Sequence, residues 1–333
     1  MSSEICVIIP AFNAEATIGD AVRSALAQPE LRELRVIDDA SSDATSEAAH
    51  DAAAGDTRLQ VIRQTRNTGP AAARNIAIAE STAPYLSVLD ADDYLLPGRF
   101  GRLALDGTAD IVADNIVFVP ESRPDLLCPE SLPALPDHAA STLDLAGFIR
   151  GNLSLPGQPR GELGILKPVI SRAFLDRHGL RYNAALRLGE DCDLYLRMFL
   201  DGARFRLQRD IGYVARVRRD SLSGRHRAED LGNLLAAAEQ LAPMVARDPK
   251  AAPLFRAYLT EIRARYLLRD FLDVKRRAGL AAALRHSARP LSNLVPVFGG
   301  VARDKLAALR KTEAPPLPDQ RYLLPLEQEK GGP

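Results

Sequence analysis

The sequence predicts an α/β fold: a doubly wound, mostly parallel, Rossmann-like sheet with a helical extension at its C-terminal end. Three observations predict it. Through the first hundred residues, short apolar runs alternate with stretches of helical periodicity. The first of these runs, Ile5 to Ile9, is continuous, as in a strand covered on both faces of a parallel sheet. The polar clusters all follow the strands, at the carboxyl ends where open α/β sheets bind ligands.

Each element has a local reason. Ile5-Cys6-Val7-Ile8-Ile9-Pro10 is a strand ended by Pro10. Glu15 to Gln28 carries Ile18, Ala21, Val22, Ala25 and Leu26 at helical spacing. Leu34 to Ile37 is a second strand, running into Asp38-Asp39. Ser41-Ser42-Asp43 caps the next helix, which lasts to about Gly55. Leu59 to Ile62 is the third strand. Asn67-Thr68-Gly69-Pro70 is a turn with proline at a helix start, and Ala71 to Glu80 follows as helix. Pro84 to Leu89 is the fourth strand. A β-α-β-α-β-α-β order of this kind builds a parallel sheet.

Beyond it, Pro97 to Leu105 reads as a short helix and Asp110 to Val119 as a strand. Pro120 to Pro136 holds five prolines and reads as a long loop. Ser141 to Arg150 reads as a short capped helix, and the Gly- and Pro-rich stretch Gly151 to Gly164 as a mobile segment over the crevice. Glu190 to Leu200 is a helix and Phe205 to Arg218 a strand. Leu231 to Arg247 is an Ala- and Leu-rich helix. Leu254 to Phe271 is amphipathic, with Phe255, Leu259, Ile262 and Tyr266 on one face. This reading gives a sheet domain over 1–227, with halves at 1–105 and 106–227, and a helical region over 228–290. An irregular tail over 291–333 has one short helix, Ala302 to Arg310.

The fourth strand ends in Asp90-Ala91-Asp92-Asp93. Three carboxylates in four positions repel one another, and all ionise comfortably only around a cation. Oxygen ligands select a hard ion such as Mg²⁺ or Mn²⁺, which completes its shell with water and substrate phosphates. The stretch therefore reads as a metal–diphosphate site. An acidic turn capping a surface strand is the alternative. Pro10, Asp39 and Asn67 reach the same rim from three other loops, which favours the site.

The chain has 333 residues, with 43 basic and 43 acidic side chains, and this neutrality argues against nucleic acid as a partner. The charge is unevenly spread. Residues 103–144 carry eight acids against Arg123, a solvated face. Residues 202–227 carry eight arginines against Asp210 and Asp220. Residues 251–289 carry nine basic side chains against three acids, which suits an anionic membrane surface or a packed helix. Cys6, Cys128 and Cys192 form neither a zinc spacing nor a disulfide framework, as in a reducing compartment. The N-terminus lacks a basic n-region and no apolar run is long enough to span a bilayer. A cytoplasmic protein, soluble or peripheral on the membrane, is the expectation.

Val7-Ile8-Ile9-Pro10-Ala11-Phe12-Asn13, Asp38-Asp39-Ala40-Ser41-Ser42-Asp43, Asn67-Thr68-Gly69 with Ala73-Arg74-Asn75, and Asp90-Ala91-Asp92-Asp93 resemble the successive motifs of family 2 glycosyltransferases. The resemblance runs from Ile5 to about Ser223 and is most like bacterial exopolysaccharide enzymes of the succinoglycan type. It implies a GT-A fold and inverting, metal-dependent transfer from a nucleoside-diphosphate sugar, UDP-glucose or similar. The expected acceptor is a saccharide, a lipid-linked oligosaccharide in exopolysaccharide or surface-glycan assembly. By the same resemblance Pro10, Ala11, Phe12, Asn13, Glu15 and Asp39 hold the nucleotide, Asp39 accepting the uracil imide N–H. Asn67, Gly69 and Arg74 close the base side. Asp90, Ala91 and Asp92 face ribose and metal, with Asp92 or Asp93 ligating Mn²⁺ or Mg²⁺. Asp191, beside Glu190, is the general base. First-turn acids also compensate a helix dipole, and here the resemblance favours catalysis. Tyr213 to Ser223 closes over the diphosphate, with Arg216 and Arg218 as cations; many relatives have histidine where this chain has Arg218.

The chain has no Trp, so the Gln-x-x-Arg-Trp element of processive synthases is absent. One sugar per encounter follows. Two rival readings exist. A sugar-phosphate nucleotidyltransferase needs a Gly-rich loop after the first strand, where this chain has Pro10 to Glu15. A non-catalytic scaffold that only binds nucleotide-sugar is opposed by intact Asp92, Asp93 and Asp191.

Overall fold

The computed structural model describes residues 4–103, 105–122, 140–154, 162–217, 226–288, 290, 293–300 and 320–324. The chain forms two compact units. The first takes in residues 1–148, 162–220 and 318–333, and the second 149–161 and 221–317. Arg218, the helix expected over Ala302–Arg310, most of the five-proline loop and residues 155–161 of the Gly151–Gly164 segment lie outside the described residues.

The first unit opens with β1 (Ile5–Ala11), α1 (Ile18–Leu26), β2 (Leu31–Asp38), α2 (Thr45–Ala53), β3 (Leu59–Arg63), α3 (Pro70–Ala79) and β4 (Tyr85–Val88). It continues with β5 (Tyr94–Leu95), α4 (Arg99–Arg102), β6 (Ile111–Pro120), β7 (Ser141–Leu143), α5 (Leu145–Arg150) and a 3-10 turn at Leu163–Ile165. Then come β8 (Val169–Ser171), α6 (Arg172–His178), α7 (Glu190–Leu200), β9 (Phe205–Val217) and the late strand β10 (Arg321–Tyr322). The sheet order is β3-β2-β1-β4-β8-β6-β9-β5. The first four strands are parallel, as the alternating pattern requires. Past β4 the sheet is mixed: β8 runs antiparallel to β4 and β6, and β6 is parallel to β9.

β1 is central because both its faces are covered. Ile5, Val7 and Ile9 are fully buried and pack with Ile18 and Val22 of α1 and Leu34 and Val36 of β2. Each such side chain contributes roughly 1.5–3 kcal/mol through burial. The central strand therefore holds its C-terminal loop rigidly at the rim.

Four local expectations need correction. Ser141-Thr142-Leu143 is not the start of a helix but β7, an edge strand paired with Leu207 to Phe205 of β9. The β-branched threonine suits the pleat, and Asp144 takes over the cap by accepting from Gly147 N at 2.7 Å. α2 starts at Thr45, behind Ala44 and with no side-chain cap, because Ser41 and Asp43 bind the loop after β1. The tail is not wholly irregular, since Arg321–Tyr322 pairs with β6. Asn115 fixes that strand: its Nδ2 donates to Leu324 O at 3.0 Å and its Oδ1 accepts from Leu324 N at 2.7 Å. Finally, β5 and β8 break what reads as loop, because they are only two and three residues long.

The second unit holds α8 (Ala228–Val245), α9 (Ala251–Ala278) and α10 (Leu280–Ser287). Leu231, Leu234, Leu241 and Val245 of α8 and Phe255 and Ile262 of α9 are buried, so the amphipathic stripe faces a core. Among the described residues no helix is long and apolar enough to cross a membrane.

Candidate active site

Two loops at the carboxyl rim are stitched together residue by residue. Asn13 N donates to Ser41 Oγ at 3.0 Å, and Asn13 Oδ1 accepts from Ser42 N at 2.8 Å. Ala14 N donates to Thr45 Oγ1 at 2.8 Å. Glu15 Oε2 accepts from Ala44 N at 2.9 Å, and Glu15 N donates to Asp43 Oδ2 at 3.2 Å. Asn13 and Ala40 both take the left-handed conformation, at φ 51° and 63°. Such backbone costs an ordinary residue about 1–2 kcal/mol, which this network of bonds offsets.

Asp39 holds the third loop. Its Oδ1 accepts from Thr68 N at 2.7 Å and Thr68 Oγ1 at 3.0 Å, and its Oδ2 accepts from Gly69 N at 2.7 Å. Gly69 needs its φ of +91°, which only glycine adopts freely. Arg187 Nη1 donates to Asn67 Oδ1 at 3.0 Å from the far side. Phe12 stands half-exposed at this rim, a large aromatic with no core role. Pro10 and Ala11 complete the end of β1.

The acids after β4 divide by environment. Asp93 is buried, with Oδ2 accepting from Tyr213 Oη at 2.7 Å and Oδ1 from Arg216 N at 2.9 Å. Burial, then the charges of Asp90 and Asp92, push the Asp93 carboxyl well above the usual range. Both its oxygens therefore serve to lock the loop onto β9. Asp92 is partly exposed, and Ala91 beside it is buried. Asp90 is opposed by two cations. Burial raises its carboxyl, but Lys167 and Arg74 outweigh that and hold it below the usual range.

Arg74 is the hub. It is 3% exposed, with Nη1 at 2.7 Å from Glu190 Oε1 and 3.0 Å from Asp191 Oδ1. Its Nη2 lies 3.4 Å from Asp90 Oδ1, and its guanidinium stands 5.2 Å over the Tyr182 ring. Lys167 Nζ lies 3.0 Å from both Asp90 Oδ2 and Asp191 Oδ2. Burial would lower the Lys167 ammonium, but Asp191 and Asp90 hold it above its ordinary value. The residues after β4 and the first turn of α7 thus meet through shared cations.

Arg216 sits elsewhere. Its Nη2 is 2.5 Å from Asp20 Oδ2 of α1, and its guanidinium stacks 5.3 Å over Tyr94. The side chain is bound to α1 and β5, and only its backbone N–H touches the acidic loop. Three contributors escaped the sequence reading: Lys167, Tyr182 and Arg187. A single local sign existed for Lys167, a lone cation between Ile165-Leu166 and Pro168-Val169-Ile170.

A family model described as glycosyl transferase family 2 matches residues 6–125. The succinoglycan biosynthesis protein ExoU of Rhizobium meliloti is 44% identical over 331 residues, covering 97% of this chain and 95% of that protein. The chain belongs to glycosyltransferase family 2. It is a glycosyltransferase. A second family member, the succinoglycan biosynthesis protein ExoO of the same organism, is 32% identical, covering 87% of this chain and 85% of its own. Among solved structures, Staphylococcus aureus TarS 1–349 in complex with UDP-GlcNAc superposes at a TM-score of 0.59, with 17% identity and 86% and 91% of the two chains covered. The mannosyltransferase PcManGT of Pyrobaculum calidifontis, in complex with GDP-Man and Mn²⁺, superposes at 0.51 with 21% identity, covering 92% and 81%. These neighbours establish the GT-A fold of the family 2 chain.

Proposed function

We propose that this family 2 glycosyltransferase moves one sugar from a nucleoside-diphosphate sugar, UDP-glucose or a close analogue, to a lipid-linked saccharide during exopolysaccharide assembly, with inversion. One observation carries the reading: Arg74 binds the donor-side Asp90 and the α7 pair Glu190-Asp191 at once. Carboxylates brought to one guanidinium in this way support a donor held beside the group that activates the acceptor. The complexes of TarS with UDP-GlcNAc and of PcManGT with GDP-Man support the donor class, and the name of ExoU supports the pathway class.

The site suits a hard divalent ion. Among the described residues no group of three or more His, Cys, Asp or Glu side chains converges as a protein-only metal site. Mg²⁺ and Mn²⁺ are instead held by one or two carboxylates together with substrate phosphates, and the partly exposed Asp92, beside Asp90, offers that. When bound, the ion would neutralise charge on the leaving diphosphate. Asp191 takes the proton of the attacking hydroxyl. Its oxygens each accept from one cation, and a carboxylate has about four lone-pair sites, so acceptor capacity remains. Glu190 keeps Arg74 in place. A single base with no second nucleophile gives one displacement and inverted configuration.

Nucleoside diphosphate release from UDP-glucose, UDP-galactose, UDP-GlcNAc and GDP-mannose, with a membrane lipid extract as acceptor, tests this. One UDP-sugar should turn over with Mn²⁺ and lose turnover in EDTA. Binding of every sugar nucleotide without release would establish the scaffold instead. Pyrophosphate release from a nucleoside triphosphate and a sugar phosphate would establish the nucleotidyltransferase.

A further inference from the structure

Lys167 belongs to none of the sequence motifs, yet the fold builds a seat for it. Tyr195 Oη of α7 donates to Leu166 O at 2.9 Å. Arg99 Nη2 of α4 donates to the Lys167 carbonyl, and Arg99 is itself clamped by Asp114 of β6 at 2.6 Å. Pro168 restricts the backbone on the other side before β8 begins. Side chains from two elements therefore grip the main chain around this one residue.

The ammonium then spans two carboxylates of different origin. It is 3.0 Å from Asp90 after β4 and 3.0 Å from Asp191 on α7, with 8% of its side chain exposed. Arg74 bridges the same pair through their other oxygens. Asp90, Arg74, Asp191 and Lys167 thus close a ring. The two cations are not equivalent. Arg74 is a planar fork that also binds Glu190. Lys167 carries a compact charge on a flexible stem, and its two ion pairs are with the two carboxylates that the transfer reaction must register.

We propose that Lys167 is a positioning residue for transfer, setting the Asp191 carboxylate against the donor-side Asp90. The inference rests on reading Asp191 as the base. A buried ammonium with these partners costs desolvation that only its ion pairs offset. Replacing a whole buried ion-pair cluster by apolar side chains often costs no stability, so a purely structural site would not need charge on Lys167, Asp90 and Asp191 together.

Lys167→Met and Lys167→Arg in the full chain test it, with UDP for binding and the productive sugar nucleotide of the panel for turnover. Displacing a reacting group by an ångström costs about a hundredfold, so kcat of Lys167→Met should fall by about that factor. UDP affinity and donor KM should stay within about threefold, the pattern of a lost transition-state interaction. Lys167→Arg, which keeps the charge, should recover most of kcat. Lys167→Gln reads the same way if the methionine variant does not fold. Wild-type kcat in Lys167→Met, equal losses of UDP binding and turnover, or an arginine variant no better than the methionine one would each overturn the proposal. Asp191→Asn separates the two readings. If it stays active, the base assignment fails; if it is inactive while Lys167→Met is fully active, only the role of Lys167 fails.

Discussion

Replacing Asp191 by Asn should abolish transfer and leave UDP binding intact. The substitution keeps the shape and one acceptor oxygen, so the contact to Arg74 or to Lys167 survives in part. It removes the charge and the proton acceptor. A general base contributes about 10²–10⁴ in rate, and kcat should fall by at least about a thousandfold. Nucleoside diphosphate release measures the loss, and calorimetric titration with UDP measures the binding that remains. Asp39, Asn13 and the Asn67–Gly69 loop lie on other strands' loops and keep their own bonds. Turnover within tenfold of the parent would remove Asp191 as the base.

The second large effect is on stability, at the buried pair beneath the site. Arg99 is 1% exposed and Asp114 2%. The guanidinium donates to Asp114 through Nε at 2.8 Å and Nη2 at 2.6 Å, and stands 5.4 Å over the Tyr213 ring. Removing one partner leaves the other charge buried and uncompensated, at about 3–5 kcal/mol. Arg99→Leu should therefore lower the unfolding free energy by about that amount, read by denaturant titration. Gly212 gives a second route to the same pair. A Cβ there would lie 1.8 Å from Asp114 Oδ2 and 2.4 Å from Arg99 Cγ, both held side chains with no room to retreat. Gly212→Ala should destabilise comparably. A loss below about 1 kcal/mol in both variants would show that the pair does not hold β6, β9 and α4 together.

The fold was legible where the local sequence carries the whole signal. β1 is apolar on both faces, β2 to β4 carry shorter apolar runs, and each is followed by turn or cap residues, so order and direction could be read. The far half was not. β5, β8 and β10 are two or three residues long and exist because a neighbouring strand offers an edge, which no window of sequence shows. The same division holds at the site. Asp90 to Asp93 and Glu190-Asp191 announce themselves as acids at a strand end and a helix start. Lys167 does not, because its partners are 24 and more residues away and its own neighbours are apolar. The resemblance turns Arg216 toward the diphosphate, but the sequence does not say which acid an arginine meets, and here its side chain meets Asp20. The resemblance leaves the ion to Asp92 or Asp93, and no window of sequence shows that Tyr213 meets Asp93 from β9.

A crystal structure with UDP and Mn²⁺ tests the central claim most directly. The account predicts the uracil between the Pro10–Glu15 loop and the Asn67–Gly69 loop, the ion joining the diphosphate to Asp92, and Asp191 facing the vacated sugar position. Nucleotide bound away from this rim, or a diphosphate seated with no ion at Asp92, would contradict it.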